Sequence, residues 1–454
     1  MDKIRLLQER KEKIVQAGKE IRADIAKIVD EQSFVELSAF SFSKNEFYDQ
    51  EVAGEGVVTG FATVDGHPVY IVAQNFSAMR GGLSKANCDK IVKCLDAAEK
   101  NSTPVIYLMN THGVQVGEGV PVLEGMGKLF SKAMQLKECA TQYLIVNGEV
   151  YGAAAMLAAI ANFTFFIEKK SVLAINSPFV LSAKSGENLS ADAVGGAKAL
   201  SGTCIPSFTI EKLEEAREKI LAITSIWTEP VIDAELNACI PALNEGCDAQ
   251  KLLSAFETSI EVGSGYLTDV KTILGRIGGI SVAAVVFDSD EGVELNALKI
   301  AKIKNFAELA IFCDLPFVVF SNVKGIEATM DVNNSYVLKE IAEYLEIFQQ
   351  LNTPKISVVY KNAVGLGYSL FASKSIGFDY ACAFANAQIA LFDGAQGAKI
   401  EFAGEKAEEG ALRAKYSEEN SDPINAAKDG YIDAIIEPQF VKQHLIASLQ
   451  MLIR

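Results

Sequence analysis

Tyr143-Leu144-Ile145-Val146-Asn147-Gly148-Glu149-Val150-Tyr151-Gly152-Ala153-Ala154-Ala155 is an apolar run that stops at a glycine and opens into an alanine-rich segment. An unbroken run of this length reads as a buried strand, the glycine as a sharp turn, and the alanines as the start of a helix. The same order returns at Ile356 to Tyr360, Gly365-Leu366-Gly367 and the helix expected through Ser373. From Gly152 to Gly365 is 213 residues.

The repetition extends to both sides of this stretch. Pro104, the apolar run Val105 to Met109, Asn110 and Gly113 recur 212 residues later as Pro316, Phe317 to Phe320, Asn322 and Gly325. Each run follows a segment with helical spacing, the first carrying Ile91, Val92, Leu95 and Ala98 on one face. Further helices are expected at 124–139 and 336–348. Before them, Gly54 to Gly60 opens a strand pair ending in Val69 to Ala73, and Gly275 to Gly279 with Ser281 to Phe287 is its expected counterpart, Gly60 matching Gly275. Register kept over so many elements marks an internal duplication. Alternating helices and strands build a parallel or mixed sheet covered by helices, an α/β class.

The 454 residues exceed one ordinary core, which supports two domains of about 200 residues. The stretch from Thr203 to Ser259, with Pro206, Pro230 and Pro241, holds the expected boundary. The resulting division is an N-terminal helix over 1–30, a first domain over 31–230 and a second over 231–454. Ile4, Leu7, Ile14, Ile21, Ile25 and Ile28 give the N-terminal helix one apolar stripe.

With 49% apolar and 22% charged residues the composition is that of a packed globular chain. A net charge of −16 argues against nucleic acid as the partner. The most apolar stretch, Tyr151 to Ile167, is interrupted by Asn162 and Thr164 and is short for a bilayer span. The charged N-terminus lacks a signal-peptide core. Eight scattered cysteines without a CxxC pair, and only three histidines, leave no zinc pattern; buried free thiols in a reducing compartment are expected, and no metal.

The chemistry suggested by the residues lies at the glycine turns. A glycine between strand and helix admits close approach of a ligand, and the first N–H groups of the helix have no internal partner. Such donors hold a phosphate or stabilise an oxyanion. GxSxG, GxxxxGK[ST] and HExxH are all absent from the chain. Packing of helix against sheet is the alternative use of the same glycines.

Taken in order, Ser33-Phe34-Val35-Glu36-Leu37, Gly54 to Gly60, Asn75-Phe76, Gly81-Gly82-Leu83-Ser84, Gly275-Arg276, Phe312-Cys313-Asp314, Thr353-Pro354-Lys355-Ile356, Ala387-Gln388-Ile389-Ala390, Asn425-Ala426-Ala427 and Gly430 to Pro438 resemble the carboxyltransferase subunits of biotin-dependent acyl-CoA carboxylases and decarboxylases. The resemblance covers nearly the whole chain. It implies a duplicated crotonase-like (ClpP/crotonase) fold of two homologous β-β-α superhelical domains, with acyl-CoA on the N-terminal side and biotin on the C-terminal side. It further implies carboxyl transfer between carboxybiotin and a short acyl-CoA, or the reverse decarboxylation, through an enolate held by backbone N–H groups. The CoA thioester is then the substrate and biotin a cofactor carried in trans, since the chain has no Ala-Met-Lys-Met motif.

By the same resemblance the thioester oxyanion falls on the N–H groups of Gly152 and Ala153, and the biotin-side oxyanion on those of Leu366 and Gly367. Candidate substrate contacts beside these turns are Arg80, Gly81, Gly82, Lys85, His112, Gly113 and Gly325, with Arg80-Gly81 and Lys85 the candidates for CoA phosphate. The expected partners are a biotin carboxyl carrier protein and further subunits, in a homodimer, a hexamer or a hetero-oligomer with a second carboxyltransferase-like chain. A cytoplasmic location follows, peripheral to a membrane in the decarboxylase branch.

The chain departs from the family where Asn110-Thr111-His112-Gly113-Val114-Gln115 replaces Asp-Ser-Gly-Gly-Ala-Arg, and where Asn322-Val323-Lys324-Gly325-Ile326 replaces Asp-x-Pro-Gly-Phe. Two alternatives therefore stand beside carboxyl transfer. One is a non-catalytic structural paralogue within a carboxylase complex. The other is a biotin-independent crotonase-like enzyme, for which His112, Glu118 and Glu149 are the candidate acids and bases. His112 itself suits either a thioester or phosphate contact or a structural bond within its loop.

Overall fold

The computed structural model describes residues 3–42, 52–227, 238–404 and 408–453. They group into two compact units, Met1–Ala222 and Ile223–Arg454. The boundary expected at 230/231 lies outside the described residues.

The first unit begins with α1 (Lys3–Ala17) and α2 (Lys19–Ala26), where the sequence suggested one helix. The break is at Gly18, where Arg22 folds back to donate to the Ile14 carbonyl. A Cβ at Gly18 would lie 2.3 Å from that guanidinium. Ile14, Ile21, Ile25 and Ile28 are buried, but Ile4 and Leu7 are 69% and 45% exposed.

Strands β1 (Val35–Leu37), β2 (Val57–Val64) and β3 (His67–Gln74) pair antiparallel. Helix α3 (Lys85–Lys100) then leads to β4 (Val105–Thr111), and α4 (Val120–Lys137) to β5 (Gln142–Tyr151). A single 3-10 turn (Gly152–Ala155) enters α5 (Met156–Ile160), followed by β6 (Phe163–Ile167) and β7 (Val172–Ala174). Helices α6 (Pro178–Ser185) and α7 (Ala191–Gly195), β8 (Phe208–Ile210) and the start of α8 (Leu213–Trp227), a helix that runs past Ala222 into the second unit, complete the run. The strand order is β1-β2-β3-β4-β5-β6-β8, parallel from β3 onward.

The second unit has α9 (Ala249–Leu252), β9 (Thr258–Val262), β10 (Val270–Ile277), β11 (Ile280–Phe287) and β12 (Val293–Leu295). It continues with α10 (Ala297–Phe312), β13 (Phe317–Ile326), α11 (Met330–Asn333), α12 (Val337–Gln350), β14 (Lys355–Val364) and α13 (Leu366–Phe371). It closes with β15 (Tyr380–Phe384), β16 (Gln388–Ala390), α14 (Gly394–Glu401), α15 (Glu409–Asn420), α16 (Pro423–Lys428), β17 (Ala434–Ile436) and α17 (Val441–Leu452). Its order, β17-β15-β14-β13-β11-β10-β9, repeats the first sheet strand for strand, with β17 in the place of β8 and β16 in that of β7, and adds β12, which pairs with β13.

Pairing corrects one detail of the duplication. Val57 faces Gln74, and Val270 faces Phe287, so the hairpins match at an offset of 213 and Gly60 corresponds to Ile273, not Gly275. Both glycines lie under an aromatic ring, Phe34 at Gly60 and Phe256 at Gly275, with no room for a Cβ. This shared device, two residues out of register, made them look equivalent.

The central strands bend before they end. β5 pairs with β6 through Tyr143 to Val146 and then with β7 through Glu149 to Tyr151. β14 likewise passes from β15 to β16. Their C-terminal ends, past a register shift against β4 and β13, exchange one neighbour for another and carry the two glycine turns. All eight cysteines are free; Cys88, Cys94 and Cys382 are buried, whereas Cys139 and Cys239 are exposed, contrary to a uniformly buried set.

Candidate active site

At the end of β5, Gly152 has φ 71°, a conformation that a residue with a Cβ enters at a cost. Its N–H donates to the Ile175 carbonyl at 3.1 Å. That bond removes Gly152 from the expected donor pair. Ala153 follows at the head of the 3-10 turn, where an N–H has no acceptor within the helix. The β4 loop packs on this turn: a Cβ at Gly152 would lie 3.9 Å from the Gly113 Cα, and one at Gly113 3.5 Å from the Tyr151 carbonyl.

The segment carrying Arg80, Gly81 and Gly82 is laced to the loop of His112 and Gly113. His112 N–H donates to the Arg80 carbonyl at 3.2 Å, Leu83 N–H to Gly113 at 2.9 Å and Gln115 N–H to Leu83 at 2.8 Å. The Gln115 side chain, standing where the family has arginine, donates to the Gly82 carbonyl at 3.0 Å. Gly81 has φ 65°, and a Cβ there would meet the Asn110 carbonyl oxygen at 2.1 Å, so only glycine fits. Met79 and Arg80, at φ 52° and 53°, hold left-handed backbone without being glycine. Strain of this kind is kept where surrounding contacts enforce it.

Lys85 is placed differently from Arg80. Its ammonium donates to Asp89 at 2.6 Å, which raises its pKa and commits the charge within α3. The Lys85 backbone N–H donates to Glu118 Oε2 at 2.7 Å, so Glu118 serves the start of α3.

His112 and Glu149 come together. Nε2 of His112 lies 2.9 Å from Glu149 Oε2, and their side chains are 34% and 40% exposed. Tyr151 stands beside the same carboxylate; burial first, then the Glu149 charge, pushes its phenol up to about 12. The imidazole lies between Phe76, 5.1 Å away and edge-on, and Tyr151, 5.7 Å away. Asn110 Oδ1 accepts the Glu149 N–H at 3.2 Å. Tyr151 and Phe76 were not among the expected site residues, although period two along β5 puts Tyr151 on the Glu149 face.

In the second unit Gly365 has φ 54°, and its N–H donates to the Ala390 carbonyl at 3.0 Å, as Gly152 does to Ile175. Leu366 and Gly367 then start α13, where N–H groups lack helical acceptors. Gly325 repeats Gly113, a Cβ there lying 3.7 Å from the Val364 carbonyl. Gly367 is forced by packing, since a Cβ would lie 2.6 Å from Val323 Cγ1. The Leu366 side chain is 49% exposed and lines a cleft of about 510 Å³ with Ile326, Met330, Val337, Leu338 and Ile341. Lys324 and Asn362 stand where the first unit has His112 and Glu149. Lys324 lies 3.7 Å from Glu291, and Asn362 donates to Asn322 at 2.7 Å.

Among the described residues no helix is long and apolar enough to cross a membrane. The sequence profile of the carboxyl transferase domain matches residues 15–454. The methylmalonyl-CoA decarboxylase subunit alpha of Veillonella parvula is 28% identical, over 99% of this chain and 96% of its own. The methylmalonyl-CoA carboxyltransferase 12S subunit of Propionibacterium freudenreichii subsp. shermanii is also 28% identical, over 98% of this chain and 90% of its own. The crystal structure of transcarboxylase 12S, a hexamer with methylmalonyl-coenzyme A and methylmalonic acid bound, has a TM-score of 0.89 at 24% identity and covers 99% of this chain and 95% of that one. The fold is crotonase-like, duplicated in one chain.

Proposed function

The chain belongs to the carboxyl transferase family, and from that premise we propose that it moves a carboxyl group between a short 2-carboxyacyl-CoA and biotin on a separate carrier protein, or runs the reverse or decarboxylating direction. The observation that carries this reading is the repeated turn. Each unit spends the N–H of its glycine on a neighbouring strand and then presents the next N–H at a helix start.

In the first unit the Ala153 N–H is the donor for the thioester oxygen. Loss of carboxyl from the α-carbon sends the electron pair into the thioester, and the oxygen becomes an enolate. A fixed donor aimed at that oxygen stabilises the charge as it forms, which is why it lowers the barrier more than it tightens ground-state binding. Gly81 and Gly113 let the segment before α3 and the β4 loop pack closely beside this turn. Arg80 is the cation left to meet a CoA phosphate, because Lys85 is paired with Asp89.

In the second unit the residues fit biotin. Leu366 and Gly367 supply two N–H groups for a ureido oxygen, and Ile326, Met330, Leu338 and the Leu366 side chain supply an apolar wall wide enough for a bicyclic ring. Biotin brought by a carrier supplies or accepts the carboxyl group there. The expected partners are a biotin carboxyl carrier protein and further copies of this chain or a second carboxyltransferase-like subunit.

Calorimetric titration with acetyl-CoA, propionyl-CoA and methylmalonyl-CoA tests the first half of the reading. Binding of at least one ester is expected. Silence for all three overturns it.

A further inference from the structure

We infer that His112, oriented by Glu149, is a proton donor and acceptor for the α-carbon of the bound acyl group, so that the first unit makes and quenches its enolate without biotin. The inference rests on the acyl-CoA reading of the Ala153 turn. Its ground is the geometry around the imidazole. Nε2 is held by Glu149 at 2.9 Å, which leaves Nδ1 as the nitrogen able to exchange a proton. The Phe76 and Tyr151 rings both pack against the imidazole, at 5.1 and 5.7 Å between centroids. All of this lies beside the turn: Glu149 and the buried Tyr151 share one face of β5 just before Gly152, and Gly113, next to His112, packs against Gly152. The group is also open to a substrate, with 34% of the His112 side chain and 40% of the Glu149 side chain exposed.

The duplicated unit serves as an internal comparison. It keeps the strand, the glycine turn and the loop glycine, but carries Lys324, Asn362 and Val364 where the first unit has His112, Glu149 and Tyr151. Scaffold needs alone would act on both copies. At these positions the copy assigned to the acyl group carries an ionisable pair with an aromatic neighbour and the other copy does not.

In the decarboxylating direction the bond from the α-carbon to the carboxylate breaks, carbon dioxide leaves, and the pair enters the thioester as an enolate on the Ala153 N–H. A proton then passes from the His112 imidazolium to the α-carbon, a C–H bond forms, and the imidazole is left neutral to regain a proton from solvent. In the opposite sense neutral His112 takes an α-proton from an acyl-CoA, and the Glu149 carboxylate stabilises the imidazolium that results.

The test is exchange of the α-hydrogens of propionyl-CoA with deuterated solvent, read by mass spectrometry, with the full-length protein and no biotin present. The protein should catalyse exchange. His112→Asn should slow it by about a hundredfold or more, and Glu149→Gln by about tenfold or more, with propionyl-CoA affinity unchanged in both; His67→Gln, on an exposed hairpin end, should match the parent. Loss of rate at constant affinity separates positioning by Glu149 from a merely structural role. Where His112→Asn fails to fold, Glu149→Gln and His112→Gln carry the comparison. Exchange that survives loss of His112, or a parent that binds propionyl-CoA without exchanging it, overturns the inference and leaves the acyl-CoA reading standing. A parent that binds no CoA ester overturns both.

Discussion

Glu149 and Asn362 occupy one position of the duplicated scaffold, each three residues before its turn glycine, yet Glu149 binds the His112 ring while Asn362 donates to the Asn322 side chain. The two copies thus keep a common backbone and differ in the side chains at its working end. Departures from family motifs that suggested a degenerate chain are assembled in the first unit into a connected polar group. This pattern favours a catalytic chain over a purely structural paralogue.

Replacing Ala153 by proline removes the proposed donor at the position of a helical turn that tolerates proline best. Turnover of a 2-carboxyacyl-CoA should fall about 10²- to 10³-fold, with CoA ester affinity changed little. Steady-state kinetics beside a thermal melt checks this. An unchanged rate places the thioester oxygen elsewhere.

Arg80→Ala should weaken CoA ester binding by about tenfold and flatten its dependence on salt, whereas Lys85→Ala should change affinity less than threefold. The difference follows from the 2.6 Å bond that commits Lys85 to Asp89. Titrations at two ionic strengths decide it.

Gly81→Ala puts a Cβ against the Asn110 carbonyl at a positive φ. A loss of about 3 kcal/mol or more is expected, enough to lower the melting temperature by several degrees. Calorimetry on the variant measures it directly.

Asp30 ties the first unit together. It accepts from Thr63 Oγ1 at 2.6 Å, Asp65 N–H at 2.8 Å, Gly66 N–H at 2.9 Å and Arg217 at 2.7 Å. The Gly66 N–H foremost, then Thr63 and Arg217, hold its carboxyl well below the usual aspartate range. A depressed folded pKa means that its stabilisation is present above the unfolded pKa and lost as pH falls toward the folded one. Asp30→Asn should therefore lower the urea midpoint at pH 7, and the gap from the parent should close as the pH is taken below about 4. A gap independent of pH would show that the charge of Asp30 contributes nothing.

Much of the fold was legible because buried parallel strands such as Val105 to Met109 and Phe317 to Phe320 are contiguous apolar runs whose spacing survives duplication. The Gly60 match failed because a glycine under an aromatic ring is a local packing device that shifts along a strand in steps of two. The N-terminal helix split at Gly18 because Arg22 reaches back to the Ile14 carbonyl, a contact that periodicity does not carry. At the site, the glycine turns were readable and their donors were not: whether Gly152 keeps its N–H free depends on Ile175, brought alongside by β7. His112 and Glu149 were visible as candidates, but their pairing arises from parallel neighbours β4 and β5, 37 residues apart in the chain. Glu118 was nominated with them and is instead held by the Lys85 amide.

The division of labour between the two turns is tested most directly by labelled-carboxyl exchange between methylmalonyl-CoA and a biotinylated carrier domain, run with the parent, Ala153→Pro and Leu366→Pro. Exchange by the parent and loss of exchange in both variants are expected. Leu366→Pro should keep parental affinity for the CoA ester, because only the second unit has been altered. Undiminished exchange in Leu366→Pro would contradict the assignment of biotin to that turn.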